Sequence, residues 1–74
     1  MRTNTEHYVM GHGKKPRGIG CWTFNITGTD GNGSYLTESV MEHGIFGEAK
    51  KMAVRNFKNS SGRIKSIVEV VVLP

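Results

Sequence analysis

Gly20-Cys21-Trp22-Thr23-Phe24-Asn25-Ile26-Thr27-Gly28-Thr29-Asp30-Gly31-Asn32-Gly33 is the stretch that organises the chain. Trp22, Phe24 and Ile26 alternate with Thr23, Asn25 and Thr27, so a strand through them has one aromatic and aliphatic face and one polar face. Such a strand belongs to a sheet that packs on a core from one side only. The alternation stops where Asp30-Gly31 and Asn32-Gly33 offer the positive φ angles of a tight hairpin turn. A return strand is therefore expected over Ser34–Met41, with Leu36 and Val40 sharing a face that Glu38 interrupts. A competing reading takes Leu36–His43 as a short helix and Gly44 as a turn, making a helix-turn-helix with the segment that follows.

Downstream the period changes. Ala49, Met52, Ala53 and Phe57 recur at helical spacing, and Lys50, Lys51, Arg55 and Lys58 fall largely on the other side. The helix is predicted to start near Phe46 or Gly47. Glu48 and Lys58 complement its dipole, and Asn59-Ser60-Ser61-Gly62 supplies its stop. Arg63–Leu73 reads as a long strand with Ile64, Val68, Val70 and Val72 on one face and Ile67, Val71 and Leu73 on the other. Apolar residues on both faces imply a central position, and an uncovered Ile67–Leu73 run is also a motive for pairing with a second copy as a homodimer. Upstream, His7-Tyr8-Val9-Met10 is read as a short strand and residues 11–18 as a flexible basic Gly/Lys/Pro/Arg loop. The expected fold class is α+β over a single domain, residues 1–74. A single antiparallel sheet of three to four strands would carry one helix on one face, in the order β-β-β-α-β.

Seventy-four residues make one domain that buries only about 60% of the surface its unfolded chain exposes. A lone cysteine, Cys21, excludes an internal disulfide and points to a reducing cytoplasm. There is no apolar stretch long enough to span a membrane and no signal-peptide run at the N-terminus. The net charge is +4, unevenly placed. Residues 1–17 carry Arg2, Lys14, Lys15 and Arg17 against Glu6. Residues 18–47 hold no Lys or Arg and three acids, Asp30, Glu38 and Glu42. Residues 48–65 bring Lys50, Lys51, Arg55, Lys58, Arg63 and Lys65 against Glu48. Two basic blocks flank an acidic middle, which gives one positive region if the blocks meet in space.

Catalytic signatures are missing: there is no Gly-x-Ser-x-Gly elbow, phosphate-binding Walker loop or His-Glu-x-x-His helix, and Gly18-Ile19-Gly20 lacks the third glycine of a dinucleotide fingerprint. The chain is accordingly read as non-enzymatic and without a cofactor. His7, His12, Cys21 and His43 match no zinc spacing. Asp30-Gly31-Asn32-Gly33-Ser34 opens like a calcium loop but has Tyr35 where glycine is needed and Met41 where a glutamate is needed. Cys21, with no histidine or cation beside it in sequence, is read as a small side chain and not a reactive thiol. Glycosylation sequons at Asn25 and Asn59 carry no weight without a secretory signal.

The basic residues are the remaining functional signal. Lys14, Lys15 and Arg17 between glycines can follow a phosphate backbone or an acidic groove, although the same residues also suit a merely solvated loop. Lys51, Arg55 and Lys58 form a stripe at i, i+4 and i+7, and Tyr8 and Tyr35 are candidate stacking residues. Taken with Arg63, these cations are the expected partner-binding residues.

Trp22-Thr23-Phe24-Asn25-Ile26, a turn, a second strand, Phe46-Gly47-Glu48-Ala49-Lys50-Lys51-Met52-Ala53 and a last strand from Arg63 to Pro74 form a layout. Over residues 20–74 it resembles small phage proteins that disable host machinery, such as inhibitors of host RNA polymerase and certain small anti-CRISPR proteins. The resemblance implies a cytoplasmic inhibitor that blocks a host protein or protein–nucleic-acid complex, with arginines on or near the sheet in contact; Arg63 stands in that place. The loop at Lys14–Arg17 has no counterpart in that layout. Direct nucleic-acid binding by the same basic surface is the alternative expectation.

Overall fold

The structure is a computed structural model that describes residues 2–74. It contains β1 (Arg2–Asn4), α1 (Glu6–His12), β2 (Ile19–Thr29), β3 (Tyr35–Ile45), α2 (Phe46–Ser61) and β4 (Ser66–Val72). The strands form one sheet in the order β1-β4-β2-β3. The class is α+β, but two features of the expected architecture are corrected. The sheet is mixed, because β1 runs parallel to β4 (Arg2↔Glu69 to Asn4↔Val71) while β2 is antiparallel to both β3 and β4. And there are two helices, since the segment expected to be a first strand, His7–Met10, lies inside α1.

Local capping and one distant contact explain that helix. The Glu6 N–H donates to Asn4 Oδ1 at 3.0 Å, satisfying one of the free donors at the helix start. At the other end Gly13 takes φ 72° and its N–H returns to the Val9 carbonyl at 2.7 Å, a left-handed cap that glycine adopts without strain. The helical period brings Tyr8 and His12 onto one face, where Tyr8 reaches Trp22 with ring centroids 5.5 Å apart. The strand propensity of Tyr-Val yields to that contact.

The hairpin forms where the alternation ends. β2 and β3 pair over eleven residues each, from Ile19↔Ile45 to Thr29↔Tyr35, so Leu36–His43 is strand and the helix-turn-helix reading fails. In the turn, Gly31 (φ 83°) and Gly33 (φ 95°) occupy the left-handed positions. Asp30 Oδ1 accepts the N–H groups of Asn32 at 2.7 Å and Ser34 at 3.3 Å. Glu38 disturbs nothing, because β3 is an edge strand and its side chain reaches water.

One core lies between the sheet and α2: Trp22, Phe24 and Ile26 of β2 and Ile67, Val70 and Val72 of β4 against Ala49, Ala53 and Phe57. Phe24 and Ile26 are wholly buried and Trp22 is 5% exposed. Met52, counted in the apolar stripe by its spacing, is instead 46% exposed; it projects beside the buried stripe of Ala49, Ala53 and Phe57. α2 ends as expected at Gly62 (φ 66°), whose N–H meets the Lys58 carbonyl. β4 starts later than Arg63 and changes phase within itself. Thr27 pairs with Glu69 and Gly28 with Ile67, leaving Val68 as the extra residue of a bulge. Ile67, Val70 and Val72 therefore share the core face, and Val68 is turned out.

Gly28 sits where α2 and the chain after it press closest to the sheet. A Cβ there would fall 2.8 Å from the Phe57 ring and 2.7 Å from Ile64 Cγ2. Phe57 is 1% exposed and has no room to retreat. Gly28→Ala is expected to destabilise the fold by about 1–3 kcal/mol as an overpacked site, read from the midpoint of urea unfolding at unchanged slope. The turn yields a second expectation. The Asn32 N–H, followed by the Ser34 N–H, holds the Asp30 carboxylate below its ordinary pKa, and the Lys65 charge adds to this. A depressed folded-state value means that this contribution to stability is present above the unfolded pKa, near pH 4, and disappears as pH falls through the folded value. An NMR titration should place the Asp30 midpoint below that of an unfolded aspartate, and Asp30→Ala should flatten the stability profile below about pH 4.

Candidate functional site

Gly13 (φ 72°) and Gly18 (φ 81°) bracket the segment Lys14-Lys15-Pro16-Arg17. Its upstream end is set by α1, which takes in Gly11 and His12. Its downstream end is pinned by the Gly18 carbonyl, which accepts the Phe46 N–H at 3.0 Å at the start of α2. The basic loop is thus tied at both ends and lies at the end of the sheet where β2 begins and β3 finishes.

Beside it opens a cleft of about 360 Å³ walled by Tyr8 and His12 of α1, Lys14 and Arg17 of the loop, Cys21 of β2 and the C-terminal Pro74. α1 is held close to that terminus: a Cβ on Gly11 would meet Pro74 Cβ at 3.0 Å. His12 stacks on Tyr8 with centroids 4.2 Å apart and planes 21° from parallel. From Tyr8 the aromatic row continues to Trp22 at 5.5 Å, to Phe46 at 5.0 Å edge-on, and from Phe46 to Phe24 at 6.0 Å. Exposure falls along it, with His12 exposed, Tyr8 half-buried and Trp22 buried. The Trp22 indole is itself fixed by its Nε1–H, which donates to the Gly44 carbonyl at 2.9 Å. A ring at the surface is in this way braced by a stack that ends in the core.

Lys14, Lys15 and Arg17 are exposed, and none of them is in an ion pair. Among the described residues the one salt bridge joins Arg2 to Glu69 at 3.8 Å, on β1 and β4. Their charge is therefore free for a ligand. Lys51, Arg55 and Lys58 are also exposed and run along the side of α2 that faces away from the sheet. Arg63 follows the C-terminal cap of α2 and borders a separate hollow of about 230 Å³ with Asp30, Tyr35 and Leu36. With the loop at the start of α2 and Arg63 past its end, sixteen helical residues, about 24 Å, lie between them. The fold brings Lys14 and Arg17 together with two stacked rings, carries the helix cations on another surface, and sets Arg63 at the far end of a molecule 38 Å long.

The pairing of Tyr8 with His12 is the part of the site that sequence reading missed. Its signal was there: the two rings stand four residues apart, the spacing of helical neighbours. The expected strand over His7–Met10 held Tyr8 alone and left His12 in the loop of residues 11–18, so the two rings were not brought together. Of the four residues weighed as metal ligands, His12 and Cys21 border the cleft, but no group of three or more His, Cys, Asp or Glu that could hold a metal is gathered among the described residues. Cys21 is a free, exposed thiol. No described helix is long and apolar enough to cross a membrane. Compared with known proteins, the chain matches no family model, no curated protein sequence and no solved structure.

Proposed function

We propose that this is a non-enzymatic binding protein whose cleft between α1 and the basic loop takes a single-stranded nucleic acid. Unpaired cations beside a braced aromatic stack carry the reading: Lys14 and Arg17 border the same cleft as the stacked rings of Tyr8 and His12. Phosphates need cations that are not already neutralised, and an unstacked base needs a ring with low mobility. Stacking tolerates any base, so the expected binding is broad in sequence. Lys15, next to them on the loop, adds a third cation to the backbone contact.

Occupying the nucleic acid of a host complex in this way is the route by which such a protein would inhibit that complex, the role that the resemblance to phage host-takeover proteins implies. The free thiol of Cys21 suits a reducing cytoplasm as the place of action. Lys51, Arg55 and Lys58 supply long-range attraction, while Arg63, at the far end, serves only a strand long enough to run the length of α2.

Oligothymidylate is the probe. With three phosphates neutralised at the loop, the affinity of a short oligomer should fall about twentyfold between 50 and 200 mM salt. The combined Lys14→Ala, Lys15→Ala and Arg17→Ala variant should lose most of that salt dependence. His12→Ala should weaken binding at every salt concentration by the loss of one stacked base, about 1–3 kcal/mol. Fluorescence anisotropy checks all three, and absence of binding at 50 mM salt, or an unchanged triple variant, refutes the proposal.

A further inference from the structure

β3 is an edge strand of eleven residues, and among the described residues nothing pairs with its outer side. The bonding pattern tells which of its backbone groups are free. Lys65 and Leu73 donate to the carbonyls of Thr29 and Thr23, so odd-numbered residues of β2 bond toward β4. Gly18 accepts from Phe46, so even-numbered residues bond toward β3. The register joins even to even, as in Ile26↔Glu38 and Phe24↔Val40. In an antiparallel ladder the intervening residues point their N–H and C=O groups away from the partner. Thr37, Ser39, Met41 and His43 therefore present an unbroken row of free donors and acceptors at the edge.

The side chains flanking that row are sorted by face. On the α2 side stand Glu38 and Glu42, two residues either side of Val40. Glu42 accepts a hydrogen bond from the Asn56 amide, and neither carboxylate is paired with a cation. On the open side of the sheet Tyr35 and Met41 are 68% and 69% exposed. No Lys or Arg occurs between residues 18 and 47, so the hairpin that ends in this edge carries acids and no Lys or Arg of its own in a basic protein.

We propose that the edge of β3 takes an extended cationic segment of a partner protein as a fifth strand. Its Lys or Arg side chains would lie on the α2 side against Glu38 and Glu42, with its apolar residues beside Tyr35 and Met41. Main-chain bonds to Thr37, Ser39, Met41 and His43 supply the pairing, and alternate side chains supply the choice of partner. A second copy of this chain is the wrong occupant. Two β3 edges laid antiparallel bring four carboxylates onto one face with no cation between them, and like charges across strands oppose pairing. The same acids thus reject self-association and select a basic strand. The inference is independent of the cleft at α1.

A five-repeat Lys-Val peptide, a five-repeat Glu-Val peptide and amide hydrogen exchange by NMR test it. Saturating Lys-Val peptide should slow exchange at Thr37, Ser39, Met41 and His43 at least about tenfold and leave Glu38, Val40 and Glu42 unchanged, since those amides already bond to β2. The Glu-Val peptide should do nothing. Glu38→Gln with Glu42→Gln, which keeps the acceptor for Asn56, should weaken Lys-Val binding about tenfold, whereas the triple alanine variant of the basic loop should bind it as the parent does. No protection at millimolar Lys-Val peptide, equal protection by both peptides, or protection that grows with protein concentration in the absence of peptide would each overturn the proposal.

Discussion

Everything in this molecule depends on one helix closing one face of the sheet. Ala49 and Ala53 let the α2 backbone come close to β2 and β3, and Phe57 fills the far end of the space. In a chain this small no second layer exists to share the task. The absence of a side chain at Gly28 is part of the same constraint, because Phe57 and Ile64 occupy the volume that a Cβ would need. Burial of six sheet residues beneath three helix residues also sets the polarity of what remains, with the basic side of α2 and the polar face of the sheet left to water.

Trp22 links that core to the surface. Its ring packs against Phe46 at the start of α2, its indole N–H is held by the Gly44 carbonyl, and its outer side receives Tyr8. Tyr8 in turn carries His12. A row of packed rings therefore ends beside Lys14 and Arg17, on a loop whose two ends are tied by α1 and by the Gly18–Phe46 hydrogen bond. A short loop of mobile cations by itself pays a high entropic cost on binding. Anchoring both its ends and adding a stacked ring lowers that cost, which favours the cleft over the helix stripe as the proposed binding site.

Charge is divided among the elements in a way that composition alone conceals. Apart from Arg2, the lysines and arginines behind the net charge of +4 lie in the loop, along α2 and beyond its end, while the hairpin that forms the exposed edge carries acids and no Lys or Arg. β4, whose apolar run suggested pairing with a second copy, lies inside the sheet between β1 and β2. The long open edge is β3 instead, and it carries Glu38 and Glu42.

Local chemistry made much of this legible from the amino-acid sequence by itself. Alternation marked β2, the Asp-Gly and Asn-Gly pairs marked the turn, and the recurrence of Ala49, Ala53 and Phe57 marked α2 and its stop at Gly62. These features arise from residues a few positions apart, whose backbone preferences and side-chain periods act before the chain is folded. Tertiary structure alone decided the rest. Arg2-Thr3-Asn4 is too short and too polar to announce a strand, and becomes β1 only because β4 offers a parallel partner. Tyr8-Val9 is helical because Trp22 waits across the chain for Tyr8, and Val68 is turned outward by a register shift against β2. The gathering of Lys14 and Arg17 with Tyr8 and His12, and the distance of Arg63 from them, belong to the same class, since contacts between segments far apart in sequence leave no periodic trace in it.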